Sequence, residues 1–346
     1  MSWHKRVFPL ILILALCTGC GQQSTSTEPT ERAVFAMDTY ITMQAYGREA
    51  ETALEEAEEL IHQLESQFSV TDEGSEIYAA NHSGGEPVII SMDTTFLINF
   101  ALSMARQTGG ALEPTIYPVL TAWGFTTDEY HIPTQEELGA LLPLVNYEDI
   151  YLMDITVTVP EGMQLDLGAV TKGYTGDKVA ELLRDHGVTS ALINLGGNVQ
   201  AVGSKPDGSP WRVGVRDPFT DGNLGVLEIE DMAVVTSGGY ERYFTDEDGN
   251  VYWHILDPET GYPAHSGLVS VTVVAPEGKL CDALSTALFV MGPEEAVRFW
   301  QDRQDFEMLL VDENGGILLT EGLESIFTRS ESAENMEVTV IRHEAK

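Results

Sequence analysis

The chain has 346 residues, 43% of them hydrophobic, with 18 Lys or Arg against 55 Asp or Glu and a formal net charge of −37. That size and apolar content supply a sizeable core and exclude general disorder, while the lack of any basic field excludes nucleic acid as a partner. An anionic small ligand stays compatible, provided that a metal ion or a local cluster of donors offsets the overall field.

The amino terminus reads as an export signal. His4, Lys5 and Arg6 precede the apolar run Val7 to Leu16, which is too short for a comfortable membrane span. Cys17-Thr18-Gly19-Cys20 ends in the small-residue-then-cysteine pattern of bacterial lipoprotein signals, although Cys17 stands where an aliphatic residue is usual. Residues 1–19 are therefore expected to be a signal peptide and Cys20 the lipid-bearing first residue. The protein is then expected at the cell membrane, lipid-anchored and facing outside the cytoplasm. Residues 20–32, rich in Ser, Thr and Gln, read as a flexible tether. Only Cys281 remains in the mature body, so no internal disulfide forms.

One domain is expected over 33–325, with 326–346 as a C-terminal extension. Ala33 to Gly47 alternates as a strand does, and Glu49 to Phe68 is an amphipathic helix. A short helix or turn over Ser75 to His82, a strand over Pro87 to Ser91 and a helix over Thr94 to Gln107 follow. The two prolines of Ala111 to Pro118 make that stretch an ordered loop. Thr134 and Glu137 form a capping box for the next helix. Extended runs over Asp154 to Val159 and Met163 to Leu167 lead to a helix over Lys178 to His186. Strands are then predicted over Ser190 to Val202, Trp211 to Arg216, Leu224 to Ile229, Met232 onwards, Tyr252 to Leu256 after an Asp248-Gly249 hairpin turn, and Ser270 to Ala275. Helices over Cys281 to Met291 and Glu294 to Arg303, and a hairpin from Phe306 to Leu319, close the chain. The fold class is α+β, with mixed, antiparallel-rich sheets and packed helices.

The densest chemical signal is Leu165 to Asp177, which joins Asp166, Lys172 and three glycines between apolar runs. It reads either as a strand-to-helix turn that aims backbone N–H groups and Lys172 at a phosphate, or as a tight turn with a surface ion pair. Further turns beside hydrogen-bonding groups lie at Asn194 to Asn198, Ser237 to Gly239 and His254 to Gly261. Asp282 and Thr286 share one helix face and suit a hard cation, or else Asp282 caps the helix. His254 beside Asp257 is either a proton carrier, as an unperturbed imidazole titrates near neutrality, or a structural histidine.

Taken in order, Met37-Asp38-Thr39-Tyr40, Leu165 to Ala169 with Lys172-Gly173-Tyr174, Asn194 to Asn198, Thr236-Ser237-Gly238 with Tyr240 to Phe244, His254 to Pro258 with Thr260-Gly261, and Asp282 to Ala287 resemble the ApbE family, the FAD:protein FMN transferases. The resemblance spans Ala33 to about Gly322. It implies an ApbE-like fold and Mg²⁺-dependent transfer of FMN from FAD to a Thr or Ser hydroxyl of another protein, releasing AMP. The acceptors it implies are exported or membrane proteins such as electron-transport subunits, whose modified segments resemble Asp-x-x-Thr-Gly, a pattern that Asp257 to Gly261 partly matches. It also implies metal ligation by the Ala169 carbonyl, Asp282 and Thr286. Flavin contacts are implied at Met37, Ala111, Leu112, Glu113, Asp166, Lys172, Ser237, His254, Ile255 and Leu256, and catalytic roles at His254, Asp257 and Lys172. The chain departs from the family pattern at Thr171 and at Leu112-Glu113. The same site would also serve an FAD pyrophosphatase giving FMN and AMP, or a lipid-anchored flavin-binding protein without catalysis.

Overall fold

A computed structural model of the chain describes residues 28–127 and 129–343; the signal, Cys20 and most of the expected tether lie outside the described residues. In chain order the elements are β1 (Thr30–Ala36), β2 (Thr39–Tyr46), α1 (Ala50–Phe68), α2 (Glu76–Asn81), β3 (Val88–Ile89), α3 (Met92–Gln107), α4 (Tyr117–Ala122), α5 (Gln135–Leu141), β4 (Tyr151–Met153) and β5 (Thr156–Thr158). The middle of the chain forms α6 (Gly168–Asp185), β6 (Ser190–Leu195), β7 (Asn198–Val202), β8 (Trp211–Arg216), β9 (Asn223–Ile229), β10 (Ala233–Gly238), β11 (Tyr243–Thr245) and β12 (Val251–Trp253). The last part forms β13 (Leu268–Ala275), α7 (Gly278–Met291), α8 (Pro293–Gln301), β14 (Glu307–Asp312), β15 (Ile317–Thr320), β16 (Phe327–Arg329) and β17 (Val338–Ile341).

Among the described residues the main sheet has nine strands in the order β1-β2-β6-β7-β10-β13-β14-β15-β17. All its pairings are antiparallel except β15 with β17, as the α+β expectation requires. Helices cover one face and the small sheet β16-β9-β8 covers part of the other. The alternation of β13 shows the division: Val271 and Val273 join the helix-side core, while Val274 joins the core under the small sheet. Helix α1 buries Ala50, Ala53, Leu54, Ala57, Ile61, Leu64 and Phe68, the three-and-four spacing of an amphipathic helix.

Several boundaries differ from those read in the sequence. The expected single strand over Ala33 to Gly47 is a hairpin, folded at Met37 and Asp38, whose φ values are 53° and 56°. A turn with two positive φ values normally advertises itself with Asn or Gly, and neither stands here. Strand β1 starts inside the expected tether, and β16 and β17 build the stretch expected to be an extension into the two sheets, so the fold runs past both ends of 33–325. Met163 to Leu167, expected as an extended run, joins no sheet among the described residues, and Leu167 has already left the extended region with ψ 11°. Asn81 serves as its neighbour, donating to the Leu165 carbonyl at 2.8 Å and accepting from the Leu165 N–H at 2.7 Å, and the Asp166 N–H donates to the Pro114 carbonyl at 2.8 Å.

The largest correction concerns the glycines of the central segment. Helix α6 begins at Gly168 rather than Lys178, so Gly173 and Gly176 lie inside it and not in a phosphate-facing turn. Gly173 is the crossing point with α7. A Cβ there would lie 2.2 Å from the Gly278 carbonyl oxygen, and a Cβ on Gly278 would lie 2.7 Å from that of Gly173. Helix α7 in turn starts at Gly278, so Asp282 sits one turn inside and caps nothing. Its cap comes from α6: the Asp177 carboxylate accepts from the N–H groups of Gly278 at 2.6 Å and Lys279 at 3.1 Å. In an open helix Gly→Ala stabilises by about 1 kcal/mol. At Gly173 the sign should reverse, because overpacking against backbone costs about 1–3 kcal/mol and the helices cannot part without uncapping α7. Urea unfolding of Gly173→Ala should therefore show a net loss of stability, and a gain would refute the close crossing.

Candidate active site

Two groups of side chains are assembled around α6, the first with α7 and β10 and the second with the base of the β11–β12 ribbon. The first is rich in oxygen. Asp282 is 5% exposed, and its Oδ2 accepts from the Gly173 N–H at 2.8 Å. In a regular helix that N–H would serve the carbonyl four residues earlier, which belongs to Ala169. Asp282 thus reaches the same N–H that the Ala169 carbonyl faces in the helix, which places its carboxylate beside that turn. Ser285, buried, donates to the Asp282 carbonyl at 2.9 Å and shares a 2.8 Å hydrogen bond with Ser237, whose hydroxyl is also 3.4 Å from that of Thr286. The tertiary structure thus joins Ser237, Asp282 and Thr286, with Gly173 carrying the link to the turn that holds Ala169. Ser285 is a member the sequence reading passed over. Among the described residues no group of three or more His, Cys, Asp or Glu could hold a metal ion. The donors here are one carboxylate, hydroxyls and a carbonyl, an all-oxygen set that suits a small hard cation with waters in its remaining positions.

The second group carries charge. Burial pushes the Asp166 carboxyl above its usual range, opposed by the hydrogen bond from the Gly168 N–H at 2.8 Å and by the charges of Lys172 and Arg242. Burial likewise lowers His254 to about 4, and the nearby Arg242 and Lys172 cations act in the same direction. The imidazole is therefore neutral across the physiological range rather than poised at neutrality. Its Nδ1 lies 3.3 Å from the Arg242 carbonyl, and its backbone N–H donates to the same oxygen at 3.1 Å. A carbonyl only accepts, so Nδ1 carries the proton and Nε2 keeps its lone pair. Neither Lys172 nor Arg242 is taken up by an ion pair with another described residue. Arg242 was part of a recognised motif but had no role assigned; only the fold brings it beside His254. Tyr117, raised by burial and then by the charge of Asp166, is another neighbour that the chain order hid.

The remaining expected contacts divide by what their side chains already do. Met37, at the β1–β2 turn, accepts a hydrogen bond on Sδ from Thr175 of α6 at 3.7 Å, and its N–H donates to Glu65 at 2.5 Å. Gly196 allows the β6–β7 turn to abut Thr39 beside it, since a Cβ would lie 2.0 Å from the Thr39 hydroxyl. Glu113 is a loop staple, accepting from Thr115 N–H and hydroxyl at 2.9 and 2.6 Å and from the Tyr147 N–H at 3.1 Å. Burial raises its carboxyl despite these bonds. Leu112 and Ile255 are buried in the main core and Leu256 in an aromatic cluster around Trp123, so their side chains are spent on packing; Ala111 is half-buried beside them. Asp257 accepts from the Glu259 N–H at 2.9 Å and from the Thr260 hydroxyl at 3.0 Å, which makes it a turn former and not the orienting partner of His254.

The likeness to known proteins extends over nearly the whole chain. The ApbE family profile matches residues 37–310. The FAD:protein FMN transferase of Treponema pallidum is 34% identical over 331 residues, covering 89% of this chain and 91% of its own; that of Klebsiella pneumoniae is 35% identical over 268 residues, covering 76% and 83%. The crystal structure of the ApbE protein from Thermotoga maritima superposes with a TM-score of 0.79 at 33% identity, covering 90% of this chain and 99% of that one. The flavin transferase ApbE from Vibrio cholerae gives 0.76 at 27%, covering 89% and 99%.

The folded pKa of His254 lies below the ordinary imidazole value, so between pH 6.5 and 4 the unfolded chain binds this proton and the folded one does not; stability from this group is full above that window and lost through it. In an NMR titration the His254 ring should stay neutral down to about pH 5 and titrate near 4, and Lys172→Gln with Arg242→Gln should raise that midpoint. A wild-type midpoint near 6.5 would show the ring to be solvated and the two cations to be distant.

Proposed function

The chain belongs to the ApbE family, and from that premise we infer that it is an FAD:protein FMN transferase. We propose that it moves FMN from FAD to a Thr or Ser hydroxyl of an exported or membrane redox protein, releasing AMP, with Mg²⁺ bound. The observation that carries this reading is helix α6, on which Gly173, bonded to Asp282, directly follows Lys172, whose charge falls on both Asp166 and the neutral His254.

The chemistry follows from these groups. The acceptor hydroxyl gives its proton to Nε2 of His254 as its oxygen attacks the FMN-side phosphorus; the bond from that phosphorus to the bridging oxygen breaks, and AMP leaves with the electron pair. Lys172 and Arg242 offset the negative charge of the pyrophosphate, which a protein of −37 would otherwise repel. The Arg242 carbonyl engages Nδ1 and so leaves Nε2 as the basic nitrogen. Asp282, Thr286 and the Ala169 carbonyl fit a magnesium ion by donor type, and when bound it would supply Lewis-acid charge neutralisation on the pyrophosphate. The roles of Met37, Asp166 and Ser237 are in binding FAD. Ala111, Leu112, Glu113, Ile255 and Leu256 are proposed to meet it through the backbone that their packing and hydrogen bonds hold in place.

Incubation with FAD, Mg²⁺ and a candidate membrane redox subunit should leave covalent flavin fluorescence on the acceptor, together with AMP. AMP without labelling would make the enzyme an FAD pyrophosphatase, and tight FAD binding without turnover would make it a carrier. Asp282→Ala should lower metal-dependent AMP release at least ~100-fold. It should also cost about 1–3 kcal/mol of stability, since the Gly173 N–H loses its acceptor; full activity in that variant would sink the metal assignment. We further propose attachment to the outer side of the cell membrane through a lipid on Cys20. Cys20→Ser should then move the protein from the membrane fraction to the soluble one, and an unchanged distribution would remove the anchor.

A further inference from the structure

The ribbon of β11 and β12 leads directly into the site and, among the described residues, has no third strand. Tyr243 faces Trp253, Phe244 faces Tyr252 and Thr245 faces Val251. At its base the His254 N–H donates to the Arg242 carbonyl at 3.1 Å, and at its tip the Asp246 N–H donates to the Asn250 carbonyl at 3.0 Å. Inward and outward backbone groups alternate along an antiparallel strand, so residues 242, 244 and 246 turn theirs toward the partner strand. Tyr243 and Thr245 turn theirs out, along an edge with no neighbour. On the other side of the ribbon the continuation of β12 is already covered, because the Ala264 N–H donates to the Ile255 carbonyl at 2.9 Å.

The two faces of the ribbon differ as well. Phe244 stacks on Tyr252 at 5.2 Å and on Tyr130 at 4.8 Å and reaches Trp123 at 6.3 Å, which cements one face to the body. On the opposite face Trp253 packs against Phe289 of α7 at 6.1 Å at the base, while Tyr243, 50% exposed, and Val251, 39% exposed, stay open. Bare strand edges invite pairing, and this one is rigidly backed, begins next to Arg242 and ends in a turn carrying Asp246, Glu247 and Asp248.

We propose that the acceptor polypeptide, in extended form, adds to β11 as a third strand. Its backbone pairs with the outward groups of Tyr243 and Thr245, and an apolar residue packs on the Tyr243 ring. Basic residues of the acceptor meet the acidic turn. The residues that run beyond the base of the ribbon then cross the His254 imidazole and present the hydroxyl to Nε2. This inference rests on the transfer reading above, and it names the surface that selects the protein substrate.

Thr245→Pro tests the edge directly. Proline removes an N–H that the ribbon does not use and is tolerated on edge strands, yet it blocks strand addition. The probe is a synthetic peptide carrying Asp-x-x-Thr-Gly with flanking lysines, and the readouts are covalent flavin on the peptide and FAD affinity by fluorescence quenching. Thr245→Pro should raise the peptide KM ~10-fold or more, the scale expected for two lost hydrogen bonds, with FAD affinity unchanged. Val251→Pro, on the other edge, should have little effect. Tyr243→Ser, which leaves the backbone intact, should also raise the peptide KM, so a misfolded proline variant does not decide the matter. Unchanged KM in both Thr245→Pro and Tyr243→Ser, or a loss confined to Val251→Pro, would overturn the docking edge while leaving the transfer reading in place. No labelling of any acceptor by the unsubstituted enzyme would overturn the transfer reading, and the docking edge with it.

Discussion

The structure depends on a contact between two helices that have no side chains where they touch. At Gly173 and Gly278 the backbones of α6 and α7 come so close that neither position has room for a Cβ. Everything chemically distinctive about the oxygen-rich group follows from that approach. It puts the Asp282 carboxylate within reach of a main-chain N–H of the facing helix, and it lets Asp177 cap α7 across the interface. A helix N-terminus that borrows its cap from another helix cannot slide independently of it, so the ligand-type oxygens of the two elements hold a fixed relation.

Charge is the second constraint. In a chain this acidic, most basic side chains among the described residues are drawn into surface ion pairs such as Arg32 with Glu58 or Arg342 with Glu324. Such exposed pairs add little stability. Lys172 and Arg242 are different, because their fields fall on Asp166 and His254. The same two cations that suit a pyrophosphate also keep the imidazole unprotonated, which is the state a proton acceptor needs. Burial contributes more than the cations do to that lowering, so binding an anion would relieve only part of it.

The aromatic cluster gives the third element its rigidity. Trp123, whose indole N–H donates to the Gly261 carbonyl at 2.7 Å, ties α4 to the turn after His254, while Phe244 and Tyr252 lock the ribbon on top of it. His254 is thus held from three sides: by the ribbon, by the Arg242 carbonyl and by the core residue Ile255 that follows it.

Much of this was legible in the amino-acid order. The amphipathic face of α1, the capping box at Thr134, the glycine turn at Asn194 to Asn198 and the motif series from Met37 to Thr286 all rest on local periodicity or local turn chemistry, which travel with the sequence, although the pairing of the two strands beside that turn was not read. The α+β class follows from the same local signals. What the sequence could not settle was long-range. A glycine that makes a turn and a glycine that admits a neighbouring helix look identical until the neighbour is in place, so Gly173 was assigned to the wrong job. Asp282 resembled a cap because its true capping residue, Asp177, is remote in the chain, and Asp257 resembled a partner for His254 only because it is close in the chain. The His254 pKa, the role of Arg242 and the bare edge of β11 depend on burial, on field and on which strands lack a neighbour, and these exist only once the chain has folded.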